Sequence, residues 1–153
     1  MQAHKQSPYV KLLAMTVLSF IAMFILMYAM VDRFANVYPN IDQTYMAALM
    51  ASPMVIIELL LMWGMYPSRT ANLSILAASV AVLLASWILI REQAAVGDRQ
   101  FLKSMIPHHA GAILMCGKAP IQDAAIKELC RKIIDGQNIE IEQMKALLAK
   151  VKE

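Results

Sequence analysis

The chain has 153 residues, of which 59% are hydrophobic and 16% are charged. Soluble globular domains have roughly 45–50% apolar and about 25% charged residues, so this is not the composition of an ordinary soluble domain. The net charge of +3 is small, and no basic run with interleaved aromatic residues occurs, which argues against nucleic-acid binding. The two cysteines are too few for a disulfide framework.

Three apolar segments in the first part of the chain, 1–92, are predicted to be transmembrane helices. The first, about 11–31, includes a charge-free run over 12–31, which is long enough for a helix to cross the apolar core of a bilayer. Its length and the apolar runs that follow argue against a cleaved signal peptide. The other two segments are about 44–66 and 71–91, and aromatic residues flank the second, as expected at membrane interfaces.

The distribution of basic residues indicates an orientation in the membrane. Lys5 and Lys11 precede the first span and Arg69 lies between the second and third, whereas the first loop holds only Arg33 beside two acids. Because loops rich in Lys and Arg remain cytoplasmic, we expect a cytoplasmic N-terminus in a bacterial inner membrane. Three spans then place the C-terminal part in the periplasm or outside the cell.

Glu58 lies within the otherwise apolar second span and has two interpretations. One is an ion or proton site between helices, because acidic groups inside membranes are commonly functional. The other is a protonated acid that hydrogen-bonds to Ser19, Ser74 or Ser79 and holds the spans together. The second interpretation is favoured, because no Lys or Arg within the spans is available to pair with Glu58.

The spans are rich in methionine and alanine at helical spacing. The methionines of the second span recur every four residues, which indicates either a thioether path for Cu(I) or Ag(I) or ordinary packing by flexible side chains. Spacing alone is weak evidence, so packing is favoured. In the third span a face of Ala77, Ala81 and Ala85 predicts close approach between helices.

Residues 97–153 are predicted to form a helical hairpin, which makes the fold class all-α. Gly97-Asp98 predicts the start of a helix over about 99–118, with Gly117 as its C-cap. A second helix is predicted over about 121–151, with apolar residues in a four-three alternation that polar residues interrupt. Two helices cannot enclose a core alone, so we expect two copies to form a homodimeric four-helix bundle.

The stretch Met105-Ile106-Pro107-His108-His109 indicates metal chemistry. Together with residues farther along the hairpin it supplies thioether, imidazole and thiol groups, which suit Cu(I) and Ag(I) best and zinc next. The alternative is that these are surface histidines with core methionines and cysteines. The candidate ligands are Met105, His108, His109, Met115, Cys116, Cys130 and Met144.

A hairpin folded at 119–120 predicts which of these ligands meet. Position 130 then opposes position 109, so Cys130 is the expected co-ligand of His109. The same count offsets Cys116 from Cys130 by seven residues, roughly 10 Å along a helix. A disulfide needs Cα atoms within about 7 Å, so no intrachain bridge is expected. Met144 should lie far from His109 unless another subunit or a different packing brings it near.

The hairpin resembles the family called domain of unknown function 305 over residues 98–148. This resemblance implies a ferritin-like helical bundle that is usually exported and often associated with copper or silver tolerance. Members commonly carry two helix pairs, and the single pair here supports dimerisation; Cys116 and Cys130 stand where alanine is more usual. The residues that carry the resemblance are Phe101, Met105 to His109, Ala112, Ile113, Met115, Ile133 or Ile134, Gln137, Glu140, Ile141 and Met144.

These observations predict a membrane-anchored protein that binds copper or silver for metal homeostasis or resistance in the cell envelope. Its expected partners are the lipid bilayer, a second copy of the chain and an unidentified protein that exchanges metal with it. The main alternative is a structural membrane protein whose hairpin mediates oligomerisation. A copper oxidoreductase ranks lower, because the chain has no electron-entry motif such as C-x-x-C-H.

Overall fold

The structure is a computed structural model that describes residues 7–151. Within these residues the secondary structure is entirely helical, which confirms the predicted fold class. Short 3-10 helices follow the first and second long helices and interrupt the first loop. The five α-helices are α1 (Pro8–Leu26), α2 (Ile41–Leu61), α3 (Arg69–Arg91), α4 (Asp98–Lys118) and α5 (Ala124–Leu148).

The first three helices are long and apolar enough to cross a membrane, as predicted. The candidate spans are Pro8–Met30, Ile41–Leu61 and Arg69–Arg91. They agree with the predicted spans to within three residues, except at the end of α2, which lies at Leu61 rather than at 66. Orientation and cellular location remain predictions, and Lys5, which contributes to the orientation argument, lies outside the described residues.

The chain divides into two compact units, here named the membrane unit and the hairpin unit. The membrane unit consists of the chain up to Leu26 together with Thr44–Ala94, and therefore holds all of α1 and α3 and most of α2. The hairpin unit combines Met27–Gln43 with the chain from Ala95 onward. If α2 and α3 both cross a membrane, the first loop and the hairpin lie on the same side of it.

The hairpin unit has its own apolar core between α4 and α5. Every third or fourth residue of α4 points into this core, as the helical repeat requires. Val31 and Tyr38 of the first loop pack against it, so the loop forms a third layer over the two helices. The buried core residues are Leu102, Ile106, Ala110, Ile141 and Met144.

Hydrogen bonds hold the first loop against the hairpin. The Asn40 side chain donates to the backbone carbonyl of Lys103 at 3.4 Å, and the Arg33 guanidinium donates to the Asn138 side chain at 3.2 Å. Gly111 of α4 allows a close approach, because a Cβ there would lie 3.5 Å from the backbone oxygen of Met30. The sequence pattern treated this loop only as a polar connection between spans.

The membrane unit has a small core at one end, where α1 begins, α2 ends and α3 begins. Leu12, Leu59 and Tyr66 are buried there. The Tyr66 hydroxyl donates to Glu58 Oε1 at 3.3 Å. Glu58 is thus bonded to a tyrosine just past the end of α2, and the expected serine partner was wrong.

The small-residue face of α3 does not pack within the chain. Ala77, Ala81 and Ala85 are all exposed, so the predicted close approach of helices at this face is wrong for the isolated chain. α3 instead turns Asn72, Ile75 and other residues of a different face toward its neighbours, with Asn72 and Ser86 fully or almost fully buried.

Candidate metal site

The connection between α4 and α5 sets the geometry of the hairpin. α4 runs to Lys118 and contains Gly117, so the predicted glycine C-cap is wrong. The backbone is extended at Ala119 and again at Asp123. The Asp123 carboxylate accepts a hydrogen bond from the Ile126 backbone N–H at 2.9 Å and caps α5, which stabilises the helix start at Ala124 rather than at 121.

The extended connection also sets the register of the two helices. A tight fold at 119–120 would oppose His109 and Cys130, but α5 begins farther along the chain and His109 instead faces Glu140. Cys130 faces Cys116. The register therefore differs from the predicted one by about ten residues at His109, and the predicted pairing of His109 with Cys130 is wrong.

Cys116 and Cys130 form a disulfide across the hairpin, with their Cα atoms 5.1 Å apart. The expectation of no intrachain bridge was wrong, because it rested on the register of a tight fold. The thiolate is the form of cysteine that ligates a metal, so neither sulfur is available as a ligand while the bond is intact.

His109 is held from both sides by hydrogen-bond acceptors. Its Nδ1 lies 2.9 Å from the backbone oxygen of Met105, one turn earlier in α4. Its Nε2 lies 2.9 Å from Glu140 Oε2, and the His109 side chain is only 13% exposed whereas that of Glu140 is 52% exposed. The Met105 carbonyl can only accept, so Nδ1 donates to it, and one proton is shared between Nε2 and the Glu140 carboxyl group.

Met105 and Met144 lie with His109 at the interface of the two helices. Met144 is 8% exposed in the core, and Met105 packs against that same cluster. Met144 was expected to lie far from His109 within one hairpin unless the packing differed. The shifted register is such a difference, and it places Met144 one helical turn beyond Glu140 on α5.

The remaining predicted ligands face away from this interface. His108 is exposed, and its ring centroid lies 6.1 Å from that of His109. Met115 is 54% exposed on the outer surface of α4. The seven candidate residues therefore separate into an inner group around His109, an outer pair, and a disulfide near the connection.

Among residues 7–151, no three His, Cys, Asp or Glu side chains are grouped so that they could hold a metal ion. Zinc sites usually use three or four protein ligands of these types. His109 and Glu140 supply two, and the methionines of the same helix interface, Met105 and Met144, carry thioethers. The arrangement therefore does not resemble a zinc site, while methionine sulfur is a donor that Cu(I) accepts.

Glu140 is the residue that sequence reasoning missed as a member of the site. It was noticed as a polar interruption of the apolar alternation along the second helix and as one of the residues that carry the DUF305 resemblance, but it was not among the candidate ligands. A carboxylate at the edge of the seam can reach a hydrogen-bonding partner across the interface, and a histidine of the facing helix was a natural candidate. The wrong register concealed this pairing.

Comparisons with known proteins find sequence similarity in the hairpin. Residues 88–148 match the family described as Domain of unknown function (DUF305). This part of the chain is similar to the DUF305 domain. The domain takes in the last turn of α3 and the whole of α4 and α5, and the DUF305 resemblance seen in the sequence is thereby confirmed.

Similarity also extends beyond the DUF305 domain. The chain is 29% identical over 140 residues to "Uncharacterized protein L153" of Acanthamoeba polyphaga mimivirus, and the alignment covers 90% of each chain. An alignment of that length includes the apolar helices as well as the DUF305 hairpin. No solved structure matches the chain.

Proposed function

We propose that the hairpin binds a single soft metal ion, Cu(I) or Ag(I), and so serves metal handling at a membrane surface. The observation that carries this proposal is the arrangement of His109. Its Nδ1 donates to the Met105 carbonyl, which is the contact that commonly orients a metal-binding histidine and leaves Nε2 for the ion.

The residues around Nε2 fit an ion. Metal–nitrogen and metal–oxygen bonds of about 2.0–2.2 Å place neighbouring ligands on one ion roughly 3 Å apart. Nε2 and Glu140 Oε2 are 2.9 Å apart, so an ion that replaced the proton between them would be within reach of both. Binding would then release that proton, which makes the affinity depend on pH.

The thioethers decide which class of metal the site would prefer. Met105 and Met144 contribute to the same buried interface, and sulfur donors favour Cu(I) and Ag(I) over the harder divalent ions. The proposed ligands are therefore His109, Met105 and Met144, with Glu140 as a neutralising carboxylate. Cys116 and Cys130 would add thiolates only after reduction of their disulfide.

The test is a calorimetric titration of the full-length, detergent-solubilised and oxidised protein with Ag(I). We expect one ion per chain, and loss of binding by more than about 100-fold in His109→Ala, since even outer contacts of a ligand are worth about 10–100-fold. Met144→Leu should also weaken binding, because leucine keeps the packing and removes the sulfur.

Neighbouring residues provide matched controls. His108→Ala and Met115→Leu alter the exposed histidine and the exposed methionine of α4 and should leave Ag(I) affinity unchanged. Equal affinity in wild type and His109→Ala, or equal losses in His108→Ala and His109→Ala, would contradict the proposal. Hydrogen exchange of α4 and α5 would show that each variant keeps the hairpin.

A second candidate function is assembly, in which the hairpin joins two copies of the chain. Phe101 is 49% exposed and Met115 is 54% exposed, and His108 lies midway between them on the same outer stripe of α4. A repeat of seven residues is the spacing at which one helix packs along another. This stripe therefore supports the expected homodimer.

Measuring the mass of the protein–detergent complex tests assembly separately from metal binding. Phe101→Lys should convert a dimer into a monomer, because it places a charge in the proposed interface. The control is Leu129→Lys, which places the same charge on the exposed surface of α5. A protein that is monomeric without substitution would refute the assembly function and leave the metal site untouched.

A further inference from the structure

The three spans enclose an apolar cleft that no predicted function uses. Its volume is about 440 Å³, within the range of roughly 300–1,000 Å³ typical of ligand pockets. Small residues of α2 and α3 form two of its walls, and larger side chains of α1 form the third. Representative lining residues are Leu13, Val17, Ala51, Ala78 and Val82.

Two of the hydroxyl groups along the cleft donate to backbone carbonyls of their own helices. The Thr16 hydroxyl donates to the Leu12 carbonyl at 2.8 Å, and the Ser52 hydroxyl donates to the Ala48 carbonyl at 2.7 Å. The walls therefore offer little to a polar ligand. No methionine is among the described residues that line the cleft, so it does not form a thioether path either.

One end of the cleft is marked by Tyr9, which also lines it. The Tyr9 hydroxyl accepts a hydrogen bond from the Ser68 backbone N–H at 3.0 Å and donates to the Asn72 side chain at 2.8 Å. These contacts join the start of α1 to the start of α3. The cleft thus runs from a polar edge of the membrane unit toward the middle of the spans.

Two basic residues lie close in sequence to this polar edge. Lys11 lies two positions after Tyr9, and Arg69 directly follows Ser68, to which Tyr9 is bonded; both side chains are exposed. Neither forms an ion pair with another residue of 7–151 in the structure. The nearby acid, Glu58, accepts a hydrogen bond from Tyr66, so the edge carries two basic groups against one engaged carboxylate.

We infer that this cleft is a binding site for an anionic phospholipid, with one acyl chain between the spans and the phosphate against Lys11 and Arg69. An acyl chain suits a long cleft with apolar walls that opens within the membrane. Basic side chains at a membrane surface attract anionic headgroups. The apolar walls would therefore bind the acyl chain of a lipid whose headgroup lies at the basic edge.

The experiment is native mass spectrometry of the full chain released from mixed micelles that contain dioleoyl phosphatidylglycerol or dioleoyl phosphatidylcholine. The two lipids share acyl chains and differ in charge. We expect one retained phosphatidylglycerol per chain, with a preference over phosphatidylcholine of about fivefold for each basic residue. Arg69→Gln should lower that preference about fivefold, whereas Arg91→Gln at the other end of α3 should not.

A second pair of variants tests the acyl chain. Ala78→Leu fills the cleft and should reduce retention of both lipids, whereas Ala77→Leu adds the same volume on the exposed face of α3 and should have no effect. Equal retention of the two lipids by wild type would overturn the inference, as would equal behaviour of Ala77→Leu and Ala78→Leu. Circular dichroism would show that both variants keep their helices.

Discussion

The hairpin unit and the membrane unit are both built from helices of similar length, but they distribute apolar residues differently. α5 buries Ile141 and Met144 on one face and exposes charged residues on the other. In α1 the buried set is Leu12 alone, and large side chains such as Leu13 and Leu18 face outward with exposures of 65% and 66%. The difference follows from the surroundings expected for each unit. A helix in water must bury its apolar face, whereas a helix in lipid can leave apolar side chains exposed.

The difference between the units predicts unequal costs for the same kind of truncation. Ile106 in the hairpin and Leu59 in the membrane unit are both 0% exposed. Ile106→Ala should destabilise the hairpin by about 2–5 kcal/mol, the sum of a transfer and a cavity contribution. Leu59→Ala should cost less than half as much, because lipid tails are as apolar as leucine and only packing is lost.

Hydrogen exchange measured segment by segment on the full chain in lipid nanodiscs would compare the two substitutions. The α4 and α5 amides report Ile106→Ala, and the α2 and α3 amides report Leu59→Ala. Equal losses of protection would contradict the view that the units are stabilised by different forces.

The disulfide gives the hairpin a covalent constraint, and its sequence separation is 14 residues. A disulfide that closes a loop of this size restricts the unfolded chain and thereby stabilises the folded state by about 3 kcal/mol. Cys116→Ala/Cys130→Ala should therefore lower the denaturant midpoint of the hairpin by a corresponding amount. Dithiothreitol should do the same to the unsubstituted protein and should leave the double variant unchanged; an effect on that variant would refute this cause.

Acid should weaken the attachment of the first loop to the hairpin. Burial acts to raise the pKa of Asp32, but hydrogen bonds from Arg33 and Asn36 outweigh it and lower that pKa below its usual value. A lowered folded pKa means that the stabilisation is fully present above about pH 4 and is lost as the pH falls through the folded value. Loop protection in hydrogen exchange should therefore decrease below about pH 4.

Asp32→Asn tests this pH dependence. The variant should show weaker loop protection at neutral pH and no further loss in acid from this group. Asp42→Asn, at the start of α2, is the control for general effects of removing an acid. If both variants lost protection in acid as wild type does, Asp32 would not be the responsible group.

The smallest expected effect lies in the turn between α3 and α4. Ala95 has a φ of 58°, a left-handed conformation that costs a residue with a Cβ roughly 1–2 kcal/mol. Ala95→Gly removes this cost, but glycine also gives the unfolded chain more conformational freedom, which offsets part of the gain. We expect a net stabilisation of about 0.5 kcal/mol, measured by chemical denaturation. Ala94→Gly, at a residue without positive φ, should be destabilising instead.

Local features of the sequence predicted the helices well but predicted the contacts between them poorly. The charge-free run over 12–31 predicted the first span because length and hydropathy are properties of a single segment. The face of Ala77, Ala81 and Ala85 is present on α3, but it is exposed within residues 7–151. Which neighbour a helical face meets depends on the rest of the fold.

The candidate site divides in the same way. The sequence by itself determined that Met105 and His109 share one face of a helix, because a spacing of four residues is fixed by the helical repeat. Only the tertiary structure decided that His109 meets Glu140, that Cys116 joins Cys130, and that His108 faces outward. These pairings depend on the register of α4 against α5, and that register is set by the path of the extended connection, where one added residue of extended backbone advances the chain by about 3.3 Å.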